Sequence, residues 1–410
     1  MRAPMPVSPI LLTGATGFIG RAIMRRLLRA GRPILALARS RGSQSADDRV
    51  AVAAGQVPDG ILLDVVEADL THPGCSLAEA TMRRLRATVE TVIHCAGDPT
   101  FFPESPLAFR VGHMDGPLAL LYRLRGGRLR QWAHLSTAYV CGRRTGTVLE
   151  QEGDVGQEFH NPYEQVKLEA ETALRRAGDR QGVDVRVFRP SIVVGAAPET
   201  AGGCPSNLFF RFIRLMATIA RLSNGADVPL RIAAAPRAGF HLVPVETVAA
   251  ALVALADHPA AAGETCHLVV SNAPTQEAVL AIITGRLGLR GPRLLDARQT
   301  PFTHPSPLER KVERMLSGYR EYLEQDVHFD DRIARRLLRQ CGIEPPTLGP
   351  KAVQELIDLA IGAPALREAD FGERPGAGSV PAPGPQMFPG DGCQSQQVTV
   401  TTDCASTVVC

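Results

Sequence analysis

A chain of 410 residues that is 45% hydrophobic and 21% charged has apolar material for roughly two packed domains, and its formal net charge of +3 provides no basic field for nucleic acid. No apolar run reaches the roughly 18 residues needed to span a bilayer, and the proline-rich start, Met1 to Pro9, lacks the charged and apolar segments of a signal peptide. The nine cysteines show no two-residue spacing of a zinc site, and those in the body of the chain fit free thiols in a reducing cytoplasm.

Val7 to Leu12 reads as a strand, Thr13-Gly14-Ala15-Thr16-Gly17-Phe18-Ile19-Gly20 as a glycine turn, and the residues to about Ala30 as an amphipathic helix. That order suits a dinucleotide. Gly14 permits the tight turn, Gly17 lets the backbone approach a pyrophosphate, and Gly20 lets the helix pack on the strand; Thr16, Phe18 and Ile19 share the loop. A second strand, Pro33 to Ala38, ends at Arg39-Ser40-Arg41. A carboxylate here would bind a ribose 2′-hydroxyl, whereas arginines accept a 2′-phosphate, so the expected cofactor is NADPH, with NADP preferred over NAD. The competing explanation is surface arginines in an arginine-rich chain.

A third strand, Ile61 to Ala68, leads to Asp69 and Leu70, where the carboxylate is placed to bond an adenine amine. A fourth, Thr91 to Cys95, ends in Ala96 and Gly97, small enough for a cofactor to lie close. Pro106 to Arg125 reads as a helix despite Gly112, Gly116 and Pro117, and carries His113. Gln131 to Leu135 delivers Ser136 and Thr137 to the carboxyl end of a fifth strand, the edge where doubly wound folds place their chemistry. Asn161 to Lys167 opens a helix on which Tyr163 and Lys167 lie one turn apart, facing one cleft. A fixed ammonium close to a phenol lowers the phenol's pKa from about 10 toward neutrality. The plain alternative is two residues on a solvated helix face. Asp184 to Phe188 is a further strand, leading to Pro190, Ser191 and Ile192. Strands alternating with helices in this way predict an α/β fold with a doubly wound parallel sheet.

Asn207 to Leu222 reads as a greasy helix with Arg211, Arg214 and Arg221 on one stripe, either walling an acyl pocket with its arginines on phosphates or packed on a core. Glu264 to Ser271 is a late strand, and Thr275 to Leu289 a helix. Ser306 to Leu323, Asp330 to Arg339 and Lys351 to Ile361 make a helical end, in which Tyr319, Tyr322, His328, Phe329 and Asp330 are expected to pack or cap. The expected division is a Rossmann domain over 7–195, with a return at about 240–258, and a smaller, mainly helical substrate subdomain over 196–239 and 259–365. The composition of 366–410 predicts a disordered tail. Its Cys393, Cys404 and Cys410 among Ser and Thr resemble in composition the core of a thioether-crosslinked peptide precursor; an inert tail is the simpler reading.

Together, Thr13 to Gly20, His94-Cys95-Ala96-Gly97, His134 to Val140, Asn161 to Lys167 with Glu169, and Phe188 to Val193 resemble the extended short-chain dehydrogenase/reductase superfamily. Within it they are most similar to the fatty acyl-CoA and thioester reductase branch, over about residues 7–360. His241 to Val245 resembles the segment by which such chains return to the sheet. The resemblance implies NADPH-dependent hydride transfer to an acyl thioester or related carbonyl, on CoA or a carrier protein, in a cytoplasmic protein without a membrane span, and leaves an oligomer open. It implies Tyr163 as general acid, Lys167 on the nicotinamide ribose, Thr137 on the substrate carbonyl oxygen with Ser136 as fallback, and Pro190, Ser191 and Ile192 beside the cofactor. Many members have an Asn that orders a relay water where this chain has His113, which either holds that water or has no catalytic part. A nucleotide-sugar epimerase or dehydratase shares the fold and the Tyr/Lys pair and is the alternative, opposed by Arg39 and the apolar Leu208 to Ile219 helix. A cofactor-binding protein without turnover is the third reading.

Overall fold

The computed structural model describes residues 7–196, 207–296 and 298–362. The expected tail, 366–410, and its three cysteines lie outside them. Seven parallel strands form one sheet: β1 (Ile10–Thr13), β2 (Ile34–Ala38), β3 (Leu63–Glu67), β4 (Thr91–His94), β5 (Gln131–Leu135), β6 (Asp184–Pro190) and β7 (Thr265–Leu268). Their spatial order is β7-β6-β5-β4-β1-β2-β3, the doubly wound arrangement expected from the alternation of elements. β1, β2 and β4 are buried at every position, because helices cover both faces of a parallel sheet and its strands read as continuous apolar runs.

Ile23, Met24 and Leu27 of the helix Phe18–Arg29 pack on one face together with Val248 and Leu252 of the helix Val245–Leu255. Met82, Leu120 and Leu174, from helices Glu79–Thr88, Gly116–Arg123 and Pro162–Gln181, cover the other around Trp132. A second core joins the helices Leu208–Ser223, Gln276–Leu287, Pro307–Leu316 and Pro350–Gly362 through Phe210, Met216, Ile283, Val312 and Ile357.

Three expectations change. The substrate subdomain does not take all of 259–365: Thr265–Leu268 is buried throughout and pairs with β6, and Ala334, Leu337 and Leu338 of the helix Arg332–Gln340 join the core under Phe18–Arg29. The return at His241 to Val245 does not enter the large sheet. Leu242–Pro244 pairs instead with Ile192–Val194 in a sheet of two strands, and the following helix makes the contact with the Rossmann core.

The third change concerns the helix expected over Pro106 to Arg125, which is broken into Pro106–Arg110, a π-helical turn Val111–Asp115 and Gly116–Arg123. Pro117 has no N–H to give the carbonyl of His113 and its ring crowds that carbonyl, so the ladder widens there. A Cβ on Gly116 would lie 2.1 Å from the Leu70 carbonyl oxygen, which is why the helix reaches the end of β3 with glycine.

Candidate active site

Parallel strands present all their carboxyl ends at one edge, so the segments after β1, β2, β3, β4, β5 and β6 form one rim. At the end of β1, Gly14 has φ +70, and a Cβ there would stand 2.6 Å from Ala96 N; a Cβ on Gly20 would stand 2.0 Å from Gly14 O. Only glycine allows both approaches. Gly17 N–H donates to Gly14 O at 2.9 Å, and Gly17 starts the helix Phe18–Arg29 without a side-chain cap or an acid in the first turn. Phe18 and Ile19 are half-buried at that helix start, whose positive end suits a phosphate. Thr13 Oγ1 accepts from Cys95 N at 3.2 Å and Ala96 N at 3.3 Å, leaving its own proton for His94 Nδ1 at 2.8 Å, and so locks the loops after β1 and β4 together.

At the end of β2, Arg39 Nη1 donates to Asp69 Oδ2 at 2.9 Å. Asp69 Oδ1 also accepts from Thr71 N at 2.9 Å and Thr71 Oγ1 at 2.7 Å. Burial pushes this carboxyl up, but the Thr71 and Arg39 bonds outweigh it and hold it down at about 2. Asp69 therefore sets the place of Arg39, while its neighbour Leu70 is buried under Gly116. Sequence reasoning missed Arg49. From the helix Ala46–Ala54 it donates through Nη2 to Thr16 Oγ1 at 3.0 Å and through Nη1 to the Arg39 carbonyl, joining the glycine loop to the arginine turn. Burial and then the charges of Arg41 and Arg39 lower its pKa, the mark of cations gathered at one spot.

Asn161 caps the helix Pro162–Gln181, its Oδ1 accepting from Glu164 N at 3.2 Å. One turn on, Lys167 is 4% exposed and its Nζ donates to Leu135 O at 2.5 Å, two residues before Thr137. This bond clamps the helix to the end of β5. Ser136 N donates to Phe188 O at 2.7 Å, and Ser136 Oγ is buried without a protein partner. Thr137 Oγ1 accepts from Tyr139 N at 3.3 Å, which leaves the hydroxyl proton to donate elsewhere. Beyond β6, which ends at Pro190, Ser191 N bonds Leu268 O at 3.2 Å while Ser191 Oγ is buried and unpartnered, and Ile192 N bonds His241 O at 3.1 Å.

Burial lowers Lys167 from 10.5 to about 8, against the raising influence of Glu171 and Cys95. Tyr163 departs from expectation: burial first, then Glu164 and Asp98, push its phenol up to about 12. The two side chains share a helix face, but the ammonium is directed at the Leu135 carbonyl while two carboxylates stand near the phenol.

His113 lies in the π-helical turn, 3% exposed, under Gly97, where a Cβ would meet its Cε1 at 2.8 Å. Its ring sits edge-on to Tyr163 at 5.7 Å, its Nε2 is 2.9 Å from Asp98 O and 3.1 Å from Asp98 N, and its Nδ1 is buried with no protein partner. Burial, and next the charge of Lys167, lower its pKa to about 4, so the ring is neutral near pH 7. Phe101, from the loop after β4, packs on Tyr163 at 6.0 Å, and Tyr322 reaches the same helix start from the C-terminal region; the sequence marked neither for the site. The apolar residues Phe209, Phe210, Ile213 and Met216 are buried in the second core, so that face packs rather than walls a pocket, with Arg221 exposed at its edge.

Among the described residues no group of His, Cys, Asp and Glu is arranged to hold a metal ion, and no helix is long and apolar enough to cross a membrane. The family model described as male sterility protein matches residues 12–252. The NRPS-like oxidoreductase fscA of Fusarium equiseti is 25% identical over 210 residues, 50% of this chain and 20% of that protein. Fatty acyl-CoA reductase 1 of Homo sapiens is 24% identical over 261 residues, 53% of this chain and 50% of that protein. This chain thus spans half or less of these curated relatives. The crystal structure of the terminal R domain from the myxalamid PKS-NRPS biosynthetic pathway superposes with a TM-score of 0.69 at 21% identity, covering 87% of this chain and 91% of that one, a likeness of fold.

Proposed function

The chain belongs to the male sterility protein family, and from that membership and its site we propose an NADPH-dependent oxidoreductase that reduces an acyl thioester or related carbonyl compound, with Tyr163 as general acid. The observation that carries this reading is the Lys167 to Leu135 bond. It brings the Tyr163 helix against the strand that delivers Thr137, on the rim where the glycine loop lies.

The residues fit the cofactor. Gly14, Thr16, Gly17, Phe18, Ile19 and Gly20 would hold the pyrophosphate, Arg39 and Arg49 the 2′-phosphate, and Asp69 and Leu70 the adenine side. Ala96, Gly97, Lys167, Pro190, Ser191 and Ile192 would hold the nicotinamide half. NADPH, when bound, supplies a hydride for the carbonyl carbon. Negative charge then gathers on the carbonyl oxygen and needs donors already aimed at it. Thr137, its oxygen occupied by Tyr139 N–H, is ready to donate, with the unpartnered Ser136 hydroxyl beside it. Tyr163 passes its proton to the same oxygen, and Lys167, a cation below about pH 8, would hold the nicotinamide ribose while its bond to Leu135 O keeps the Tyr163 helix against β5. His113 Nδ1 holds the water that returns the proton. Free thiols at all five described cysteines fit a reducing compartment, and we place the reaction in the cytoplasm. The names of two relatives, fatty acyl-CoA reductase 1 and the NRPS-like oxidoreductase fscA, support a substrate carried on CoA or a carrier protein.

NADPH oxidation by the purified full chain over acyl-CoA esters, carrier-bound thioesters, long-chain aldehydes and UDP-sugars tests this reading. Turnover of a thioester or aldehyde is expected; none with any of them sinks it. Cofactor choice has its own test. Arg39→Ala combined with Arg49→Ala removes charged bonds worth roughly ten- to a hundred-fold each, so the KM for NADPH should rise at least about a hundred-fold while that for NADH hardly moves. Equal effects on both cofactors would refute the 2′-phosphate role.

A further inference from the structure

Tyr163 is the second residue of its helix, so its place depends on the first turn, and that turn is held from outside the Rossmann domain. We propose that Tyr322, on the short helix Arg320–Glu324, is a positioning residue for Tyr163, acting through Asn161, Glu164 and Phe101. This rests on the reading of Tyr163 as the general acid.

The Tyr322 hydroxyl accepts from Asn161 Nδ2 at 2.6 Å and donates to Glu164 Oε1. Asn161 is the helix cap and Glu164 is fully buried, its carboxylate also taking His160 N–H at 2.9 Å. One hydroxyl therefore completes both polar residues that flank Tyr163 in the chain. Its ring works on the other side. Phe101 stacks on Tyr322 at 5.5 Å and reaches Tyr163 at 6.0 Å and Tyr319 at 4.9 Å, so the ring that backs Tyr163 is itself backed by Tyr322.

The segment around Tyr322 is also strapped to the turn after Thr137. Gln325 Nε2 donates to Gly142 O at 2.7 Å and Arg144 O at 2.6 Å, Arg143 pairs with Glu321 at 2.8 Å, and Val327–Phe329 pairs with Gly146–Val148. Segments following both proposed proton donors are thus referenced to one stretch of chain. Glu164 is among the charges that raise the Tyr163 phenol, so an O–H donated to that carboxylate also bears on the strength of the acid.

The test uses the full chain, NADPH and whichever acyl-CoA ester or aldehyde it turns over fastest. Tyr322→Phe deletes one oxygen and keeps the stacking ring. Its kcat should fall about ten-fold, while KM and the Kd for NADPH stay within about two-fold, as expected when a buried hydrogen bond is lost away from the ligands. Glu164→Leu, which removes the acceptor, should also slow turnover, and the double variant should be slower than wild type by less than the product of the two single effects, because the two changes share the bond between Tyr322 and Glu164. A Tyr322→Phe enzyme with wild-type kcat, effects that multiply in full, or a rise in KM alone overturns the proposal. Tyr163→Phe separates the two readings: if it is dead while Tyr322→Phe is unimpaired, only the positioning role fails; if it turns over, the general-acid reading fails first.

Discussion

Tyr163→Phe is expected to lower kcat by about a thousand-fold, within the range by which a positioned acid accelerates a reaction, with NADPH affinity unchanged. The substitution removes the one atom proposed to pass the proton and keeps the ring that packs on Phe101 at 6.0 Å and edge-on to His113 at 5.7 Å. Folding should barely register it, so the melting midpoint serves as the control. Fluorescence titration with NADPH and steady-state oxidation on one preparation separate binding from chemistry. Turnover near the wild-type rate would remove Tyr163 from the proton path.

Lys167→Met is expected to cost at least roughly a hundred-fold in kcat/KM and, unusually for a core substitution, to raise thermal stability at pH 7. The sign follows from linkage. The unfolded chain keeps the lysine proton up to its ordinary 10.5, whereas the folded chain keeps it only to about 8. Between those values the unfolded state binds more protons, so stability rises with pH; below about pH 8 the full cost of burying the cation is present, about 3 kcal/mol. The variant escapes that cost. Its melting midpoint should exceed the wild type at pH 7, and the gap should close as pH approaches 10. Wild-type kcat/KM should fall as pH rises through about 8, where the ammonium is lost. A variant less stable than wild type at pH 7 would mean that the bond to Leu135 O outweighs the burial of the charge.

How far the site was legible depended on whether a role lies in a local backbone requirement or in a meeting of distant segments. The glycine loop was readable because a positive φ at Gly14 and the contact of Gly20 with Gly14 are demands made within seven residues. Thr137, Tyr163 and Lys167 could be nominated because strand end and helix start each carry a local pattern. Arg49 was not, since nothing in the helix Ala46–Ala54 distinguishes one arginine until folding lays it against Thr16. The π-helical turn at His113 was half legible: Pro117 announces a broken ladder, but its resolution as a wider turn depends on the approach of Gly116 to Leu70.

Alone, the sequence determined the parallel doubly wound sheet, its glycine loop and the residues at the strand ends, because hydrophobic periodicity and glycine placement act over one element at a time. Tertiary structure alone decided that Thr265–Leu268 and Arg332–Gln340 complete the Rossmann core, since an apolar stripe does not say which core it covers. It also decided the electrostatics of the pair on the helix Pro162–Gln181. A Tyr and a Lys four apart suggest an acidified phenol, but burial of both, the pull of Leu135 O on the ammonium and the nearness of Glu164 and Asp98 set the phenol high and the lysine low. Those energies depend on dielectric and distance, which exist only once the chain has folded.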